Sequence, residues 1–330
     1  MRSLSMRSFA AAVLLISSSG MYAADPQLLN LVMPDAKVLA GVNVTTAKAS
    51  PLGQFLLARI SASSGADAHL QKLISLTGFD PRTDLAEILA ASAADPAHPG
   101  GLVLAKGTFN VTELSAAAGQ SPNVQIQTYD SYPLIVSTNP KTQVSRAVAF
   151  INGTIAVSGS VDLVKAALDR SGSTNALTNT ALAAQVTQLS GANDEWVAST
   201  VSPAQLAPAK AQSAGSQSTG QSSKAAGFAA SLKNIQTFQG GIKFGANDVL
   251  TAQLGAADAQ SATALANVVQ FAISLVTMNS QKDAAATELA QILQSLQVSA
   301  SGTNLNLVSS IPDAQIQTLL SSLPAHKKAN

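Results

Sequence analysis

Apolar positions recur along this chain with two distinct periods. From Val124 to Tyr129 they alternate, with Val124 and Ile126 on one side and Gln125 and Gln127 on the other. A period of two predicts a strand with one dry face and one wet or lightly covered face. Pro133-Leu134-Ile135-Val136 reads as its partner across the polar turn Asp130-Ser131. Further strands are predicted at 38–44, 102–104, 147–150, 154–158, 195–201, 298–300 and 305–309. Asn152-Gly153 reads as a two-residue type I′ turn, because both of its central positions need positive φ. Elsewhere the spacing changes to three and four residues, which predicts helices. One covers 161–168. A second covers 258–278, with Leu265, Val268, Val269, Ala272, Leu275 and Val276 on one stripe. A third covers 284–297, and a fourth begins at Pro312-Asp313 and carries Ile316, Leu319 and Leu320. Hairpins mixed with helices of this length predict an α+β protein, with antiparallel sheets covered by helices on one face.

These elements fall into two copies of one plan. Each copy opens on a strand, at Val38 and at Glu195, and each closes on a hairpin followed by a helix. Gly100-Gly101-Leu102-Val103-Leu104 and Gly240-Gly241-Ile242-Lys243-Phe244 echo each other between the ends. The expected organisation is a lobe over 25–188 and a related lobe over 189–330. The stretch 209–227 (AKAQSAGSQSTGQSSKAAG) is nearly free of large apolar residues, so a mobile surface excursion inside the second lobe is expected there. The tail His326-Lys327-Lys328 is short and basic.

The first 24 residues have the order of a secretory leader. Arg2 and Arg7 form a basic start, Phe9 to Ile16 is a short apolar run, and Ala23-Ala24 supplies small residues for cleavage after either one. That apolar run is too short for a membrane span, which needs about 20 residues. The stretch 262–278 is the most apolar later segment, but Asn267 and Gln270 interrupt it, so it reads as an amphipathic core helix. The expected location is the periplasm or the exterior, with no transmembrane helix in the mature chain.

Composition narrows the chemistry. The 330 residues include 19 Lys+Arg against 18 Asp+Glu, and loss of the leader leaves 17 against 18. Near-zero charge and scattered basic residues argue against nucleic acid held by counterion release. Charged residues are only 11% of the chain while hydrophobic residues are 46%, enough for a large aliphatic core. Cysteine is absent, which excludes disulfides, thiolate nucleophiles, zinc–cysteine sites, iron–sulfur clusters and a thioether lipid anchor.

No candidate reaction centre emerges. His69, His98 and His326 lack the i, i+4 spacing that places two imidazoles on one metal, and Asp67 and Asp95 beside the first two read as solvated surface. In Asp80-Pro81-Arg82-Thr83-Asp84-Leu85-Ala86-Glu87, Asp84 and Glu87 would share a helix face, as acid–base carboxylates do. Capping explains the run better: Asp80 is a good N-cap, Pro81 suits the first helical position, and acids in the first turn complement the helix dipole. No serine sits in a nucleophile elbow or an S-x-x-K pair, and no phosphate, dinucleotide or calcium loop occurs. Gly100-Gly101 and Gly240-Gly241 precede predicted strands and read as turn glycines. Asn43, Asn110 and Asn152 head Asn-x-Thr sequons. The remaining candidates are aromatics that can anchor a partner: Tyr129 and Tyr132 at a hairpin tip, and Trp196 at the start of the second lobe.

The stretches LISLTGFDPRTDLAEILAAS, GGLVLAKGTFNVTEL and AVAFINGTIAVSGSVDLVKAALDR resemble those of uncharacterised exported bacterial proteins, many from acidobacteria. The resemblance covers about residues 30–170 and, more weakly, the last 90. It implies an exported α+β protein and carries no catalytic residue. The expected function is that of a non-enzymatic binding or envelope-associated scaffold protein without cofactor, acting on an unknown protein or envelope component. A hydrolase whose residues converge only in the fold, and an inhibitor- or chaperone-like partner of another exported protein, are the alternatives.

Overall fold

The computed structural model describes residues 24–61, 66–95, 100–174, 177–206, 234–278 and 284–322. The leader up to Ala23, the stretch 209–227, the turn residue His98 and the tail from His326 lie outside the described residues, and so does the side chain of His69. The described residues form twelve strands: β1 (Val38–Asn43), β2 (Leu85–Ser92), β3 (Leu102–Gly107), β4 (Val124–Tyr129), β5 (Tyr132–Thr138), β6 (Ser145–Ile151), β7 (Ile155–Ser160), β8 (Glu195–Ser199), β9 (Ile235–Lys243), β10 (Asn247–Ala256), β11 (Gln297–Ser301) and β12 (Asn304–Pro312). They make one sheet in the order β11-β12-β10-β9-β8-β1-β2-β3-β7-β6-β5-β4. Every described pairing is antiparallel. The protein is thus α+β.

The strand order runs alike on the two sides of the sheet's centre. Outward from the central β1–β8 pair, one side runs β1-β2-β3-β7-β6 and the other β8-β9-β10-β12-β11. The β5–β4 hairpin is the extra piece of the first side. Strand positions also correct one detail of the sequence reading. Gly100-Gly101 lead into β3, but Gly240 and Gly241 lie inside β9, whose positional counterpart is β2.

Cross-strand register sorts the side chains into two faces. On the front face, Leu39 sits opposite Ala91 and Ala198, and Leu104 opposite Leu89 and Val157. Ala149 lies opposite Leu134 and Val157 on the same face. All of these are buried, together with Leu28 and Leu31 of helix Pro26–Leu31 and Val164 and Leu168 of helix Val161–Asp169. Helix Thr180–Ala192 adds Leu182, Val186 and Leu189 to the same core. Each fully buried leucine contributes about 1.5–3 kcal/mol, so this front core dominates the fold. Side-chain caps start the last two of these helices: Ser160 Oγ accepts the Leu163 N–H and Asn179 Oδ1 accepts the Leu182 N–H. The residue range 180–192 spans the expected lobe boundary at 188/189.

The second side buries the opposite face. Ile235, Ala256 and Leu305 on the back face pack with Ala262, Leu265 and Ala266 of helix Ala259–Met278. This core is smaller and richer in alanine. The helix also differs from the core helix expected at 262–278. Its first half is packed, while Phe271, Leu275 and Met278 are exposed at 50%, 51% and 82%. Among the described residues it is the one helix long and apolar enough, by length and composition, to cross a membrane.

Three local expectations need correction. The helix beginning at Asp80 stops at Asp84, and Leu85–Ser92 is a strand, so Asp84 and Glu87 share no helix face. Leu89 and Ala91 gain burial between β1 and β3, and that outweighs the helix preference of Leu-Ala-Glu. The Asn152-Gly153 turn has both φ values positive, at 53° and 66°, but Ile151 pairs with Ile155, so Thr154 makes a third loop residue. On β4 it is the glutamines that share the front face, Gln127 lying opposite the buried Leu134. Ile126, on the back face, is 47% exposed, as befits the edge of the sheet.

Candidate functional site

Among the described residues, the back face is left open where β1 meets β8. Ala40 and Val42 from β1, Val197 from β8, Phe238 and Ile242 from β9, and Leu250, Ala252 and Leu254 from β10 line a hollow of about 350 Å3. Register explains why they converge. Ala40 pairs with Val197, Val197 with Gly240 and Gly240 with Ala252, so four strands aim the same parity at one spot. None of these apolar side chains is fully buried, and Leu250 is 36% exposed. The only charged residue of the lining is Glu195, at its exposed end. The other side of the same strands is closed: Trp196 is 5% exposed and covers Gly41, where a Cβ would come within 2.5 Å of the indole.

A second hollow, of about 470 Å3, lies on the front face beside helix Thr180–Ala192. Its chemistry is different. Gln239 donates to Gln253 at 2.9 Å, and Gln253 donates to Asn306 at 2.8 Å. Lys243 Nζ donates to the buried Asp194 at 2.9 Å, and Asp194 also accepts the Phe244 N–H. These polar groups mostly satisfy one another, as half-buried polar side chains must.

The predicted aromatics are engaged within the chain. Tyr129 and Tyr132 stand together at the β4–β5 tip. Tyr129 donates to Asp169 at 2.9 Å and lies under the Lys165 ammonium, 5.1 Å from the ring centroid. Accepting that proton bond, Asp169 pushes the Tyr129 hydroxyl above its ordinary range. Tyr132 bonds Ser171 at 3.5 Å. Both rings pack on the front core and hold the hairpin to the end of helix Val161–Asp169. Trp196 belongs to the same core at the centre of the sheet, on the face opposite the apolar hollow.

The remaining sequence candidates have structural jobs. Asp80 caps helix Pro81–Asp84 through the Arg82 N–H, and the Arg82 guanidinium holds its carboxyl below the usual range. Asn43 and Asn110 are helix N-caps, accepting the Thr46 and Glu113 N–H groups. Among the described residues no three His, Cys, Asp or Glu side chains gather to hold a metal.

Sequence reasoning missed one carboxylate pair. Asp248, after the Gly245-Ala246-Asn247 turn, and Asp313, at the start of helix Asp313–Ser322, are 2% and 6% exposed. Asp248 Oδ1 accepts the Gly245 N–H at 3.3 Å, while its Oδ2 and both oxygens of Asp313 receive no hydrogen bond from the described residues. Burial, then the facing Asp313 carboxyl, pushes Asp248 up to about 6. Neither acid lines either hollow.

No family model matches the chain, and no curated protein matches it by sequence. Among solved structures, crystal form III of TP0453 aligns over 91% of this chain and 99% of its own, at 10% identity and a TM-score of 0.51. Crystal form I of TP0453 aligns over 91% and 98%, at 10% identity and a TM-score of 0.48. The likeness to form III is one of fold: the chain is similar in its α+β architecture to TP0453.

Proposed function

We propose that this chain is a non-enzymatic exported binding protein that takes a small, uncharged, apolar ligand on the back face of its sheet. The observation that carries the reading is the hollow over β1, β8, β9 and β10, of about 350 Å3 and lined by aliphatic and aromatic side chains with Glu195 only at its end. Its volume falls at the low end of the range of small-molecule sites. Such a surface rewards removal of hydrocarbon from water, and Glu195 at its end is its one charged group. Glu195 is the one acid of the lining and no histidine, lysine or second carboxylate joins it there, so the reading is a site that holds and does not transform. The leader-like first 24 residues, and the resemblance to exported acidobacterial-type proteins, support a place outside the cytoplasm.

The test is titration with N-phenyl-1-naphthylamine, an uncharged apolar dye whose emission rises on burial. Saturable binding at one site is expected, weakened at least about tenfold by Leu250→Arg, which puts a charge into the hollow; tenfold is about 1.4 kcal/mol. Unsaturable binding, or equal affinity in the variant, removes the reading. Turnover of an ester, peptide, glycoside or phosphate substrate would favour a hydrolase instead.

A further inference from the structure

Two acids and one lysine meet where the described chain begins, and their charges do not balance. Glu87 on β2 sits directly across from Lys106 on β3. The Lys106 ammonium, however, pairs with the side chain of Asp25. What Glu87 receives is the backbone N–H of Asp25, at 3.1 Å to one carboxyl oxygen and 3.3 Å to the other. Burial pushes the Glu87 carboxyl above its usual range, and the Asp25 charge adds to the rise. A half-buried carboxylate therefore faces an uncharged amide nitrogen where a cation would balance it.

That nitrogen follows the last alanine of the leader-like segment, Ala23-Ala24. We propose that the leader is cut between Ala24 and Asp25 and that the α-ammonium released docks on Glu87. The inference rests on the export reading above. In the cut, water adds to the Ala24 carbonyl carbon and the C–N bond breaks. Ala24 leaves as a carboxylate, and the Asp25 nitrogen takes up protons to become an ammonium at neutral pH. The nitrogen is already within hydrogen-bond reach of both Glu87 oxygens, so no rearrangement is needed. One N–H donor becomes three, and two carboxylates face two cations. The Asp25 side chain keeps its cap on helix Pro26–Leu31, accepting the Gln27 N–H at 2.7 Å. The cut gives up the buried Ala24 methyl. A cut one residue earlier would keep that methyl and leave the nitrogen on Glu87 an amide.

The full chain, leader included, is to be expressed in a secreting bacterium, and the exported protein's first residue read by intact mass. Its α-amine is then acetylated with N-hydroxysuccinimidyl acetate at pH 7. Two comparison chains are exported alongside it: Glu87→Gln, and one with a single glycine inserted before Asp25. The expected first residue is Asp25, and its amine should react about tenfold more slowly than in either variant, the effect of one unit of pKa. The glycine insertion leaves every side chain in place and answers the question even where Glu87→Gln fails to fold. A chain that keeps residues 1–24 overturns the export reading and this proposal together. A chain trimmed at another bond leaves export standing and overturns the proposal alone. So does a chain that begins at Asp25 but reacts equally fast in all three forms.

Discussion

The two sides of the sheet share a strand order and bury opposite faces. On the first, Leu39, Leu89, Leu104 and Val157 form a continuous aliphatic front under three helices. On the second, the front positions are Gln239, Gln253, Thr251 and Asn306, and the main core moves behind the sheet to Leu305, Ala256 and helix Ala259–Met278. Topology sets which strands are neighbours. The parity of leucine against glutamine decides which face dries. Where the two schemes meet, at β1 and β8, the front face is sealed by Trp196 and the back face is covered by neither core. The candidate hollow is thus a consequence of the change of face.

The largest effect that could break this comparison is core truncation. Leu104 and Leu305 are both 0% exposed, yet they stand in cores of different depth. Leu104→Ala should cost about 4–5 kcal/mol and Leu305→Ala about 2–3 kcal/mol, because the alanine-rich second core can collapse around the gap more readily. Urea midpoints measure both. Equal costs would mean that the second core is as tightly built as the first.

The next effect belongs to the second side alone. Asp248 is raised to about 6 in the folded chain, against 3.8 for the free side chain. Below pH 4 the group is protonated in folded and unfolded chains, and its full share of stability is present. That share is lost as pH rises through about 6, because the folded chain must then hold a buried charge beside Asp313. The loss is on the order of 2–3 kcal/mol. Asp248→Asn should therefore be more stable than the parent at pH 7 and no better at pH 4. A gap of the same size at both pH values would show that the two carboxyls do not share this strain.

What was legible in the sequence was local. The β4–β5 and β6–β7 hairpins, the Asp80 cap and the helix after Pro312 each follow from a few adjacent residues. What was hidden depends on pairing. Leu85-Ala86-Glu87 favours a helix when read alone and becomes a strand because β1 and β3 flank it. The hollow draws on Ala40, Val197, Phe238 and Leu250, four separate strands whose register no single window contains. Tyr129 and Tyr132 are legible as the tip of the β4–β5 hairpin, while their bonds to Asp169 and Ser171 come from the end of a helix about 40 residues further along the chain. Asp248 and Asp313 meet only once β10 and β12 pair, with Asp248 opposite Ile311.

The smallest effect sharpens the comparison at matching turns. Gly153 closes the β6–β7 hairpin at φ 66°, and Gly302 closes the β11–β12 hairpin at φ 56°. Either glycine replaced by alanine strains the backbone, at about 1 kcal/mol. The surroundings differ. A Cβ at 153 would lie 3.2 Å from the Phe109 carbonyl oxygen, whereas none at 302 would meet an atom within 4 Å. Position 153 is also held by Phe109, whose N–H donates to the Gly153 carbonyl at 2.8 Å, so the turn cannot move away from the clash. Gly153→Ala should therefore cost more than Gly302→Ala, by about 0.5–1 kcal/mol, an overpacking penalty at the low end of its range. Thermal midpoints of the two variants give the difference. The reverse order would mean that the first hairpin has room to relax, and that its packing advantage stops short of its turns.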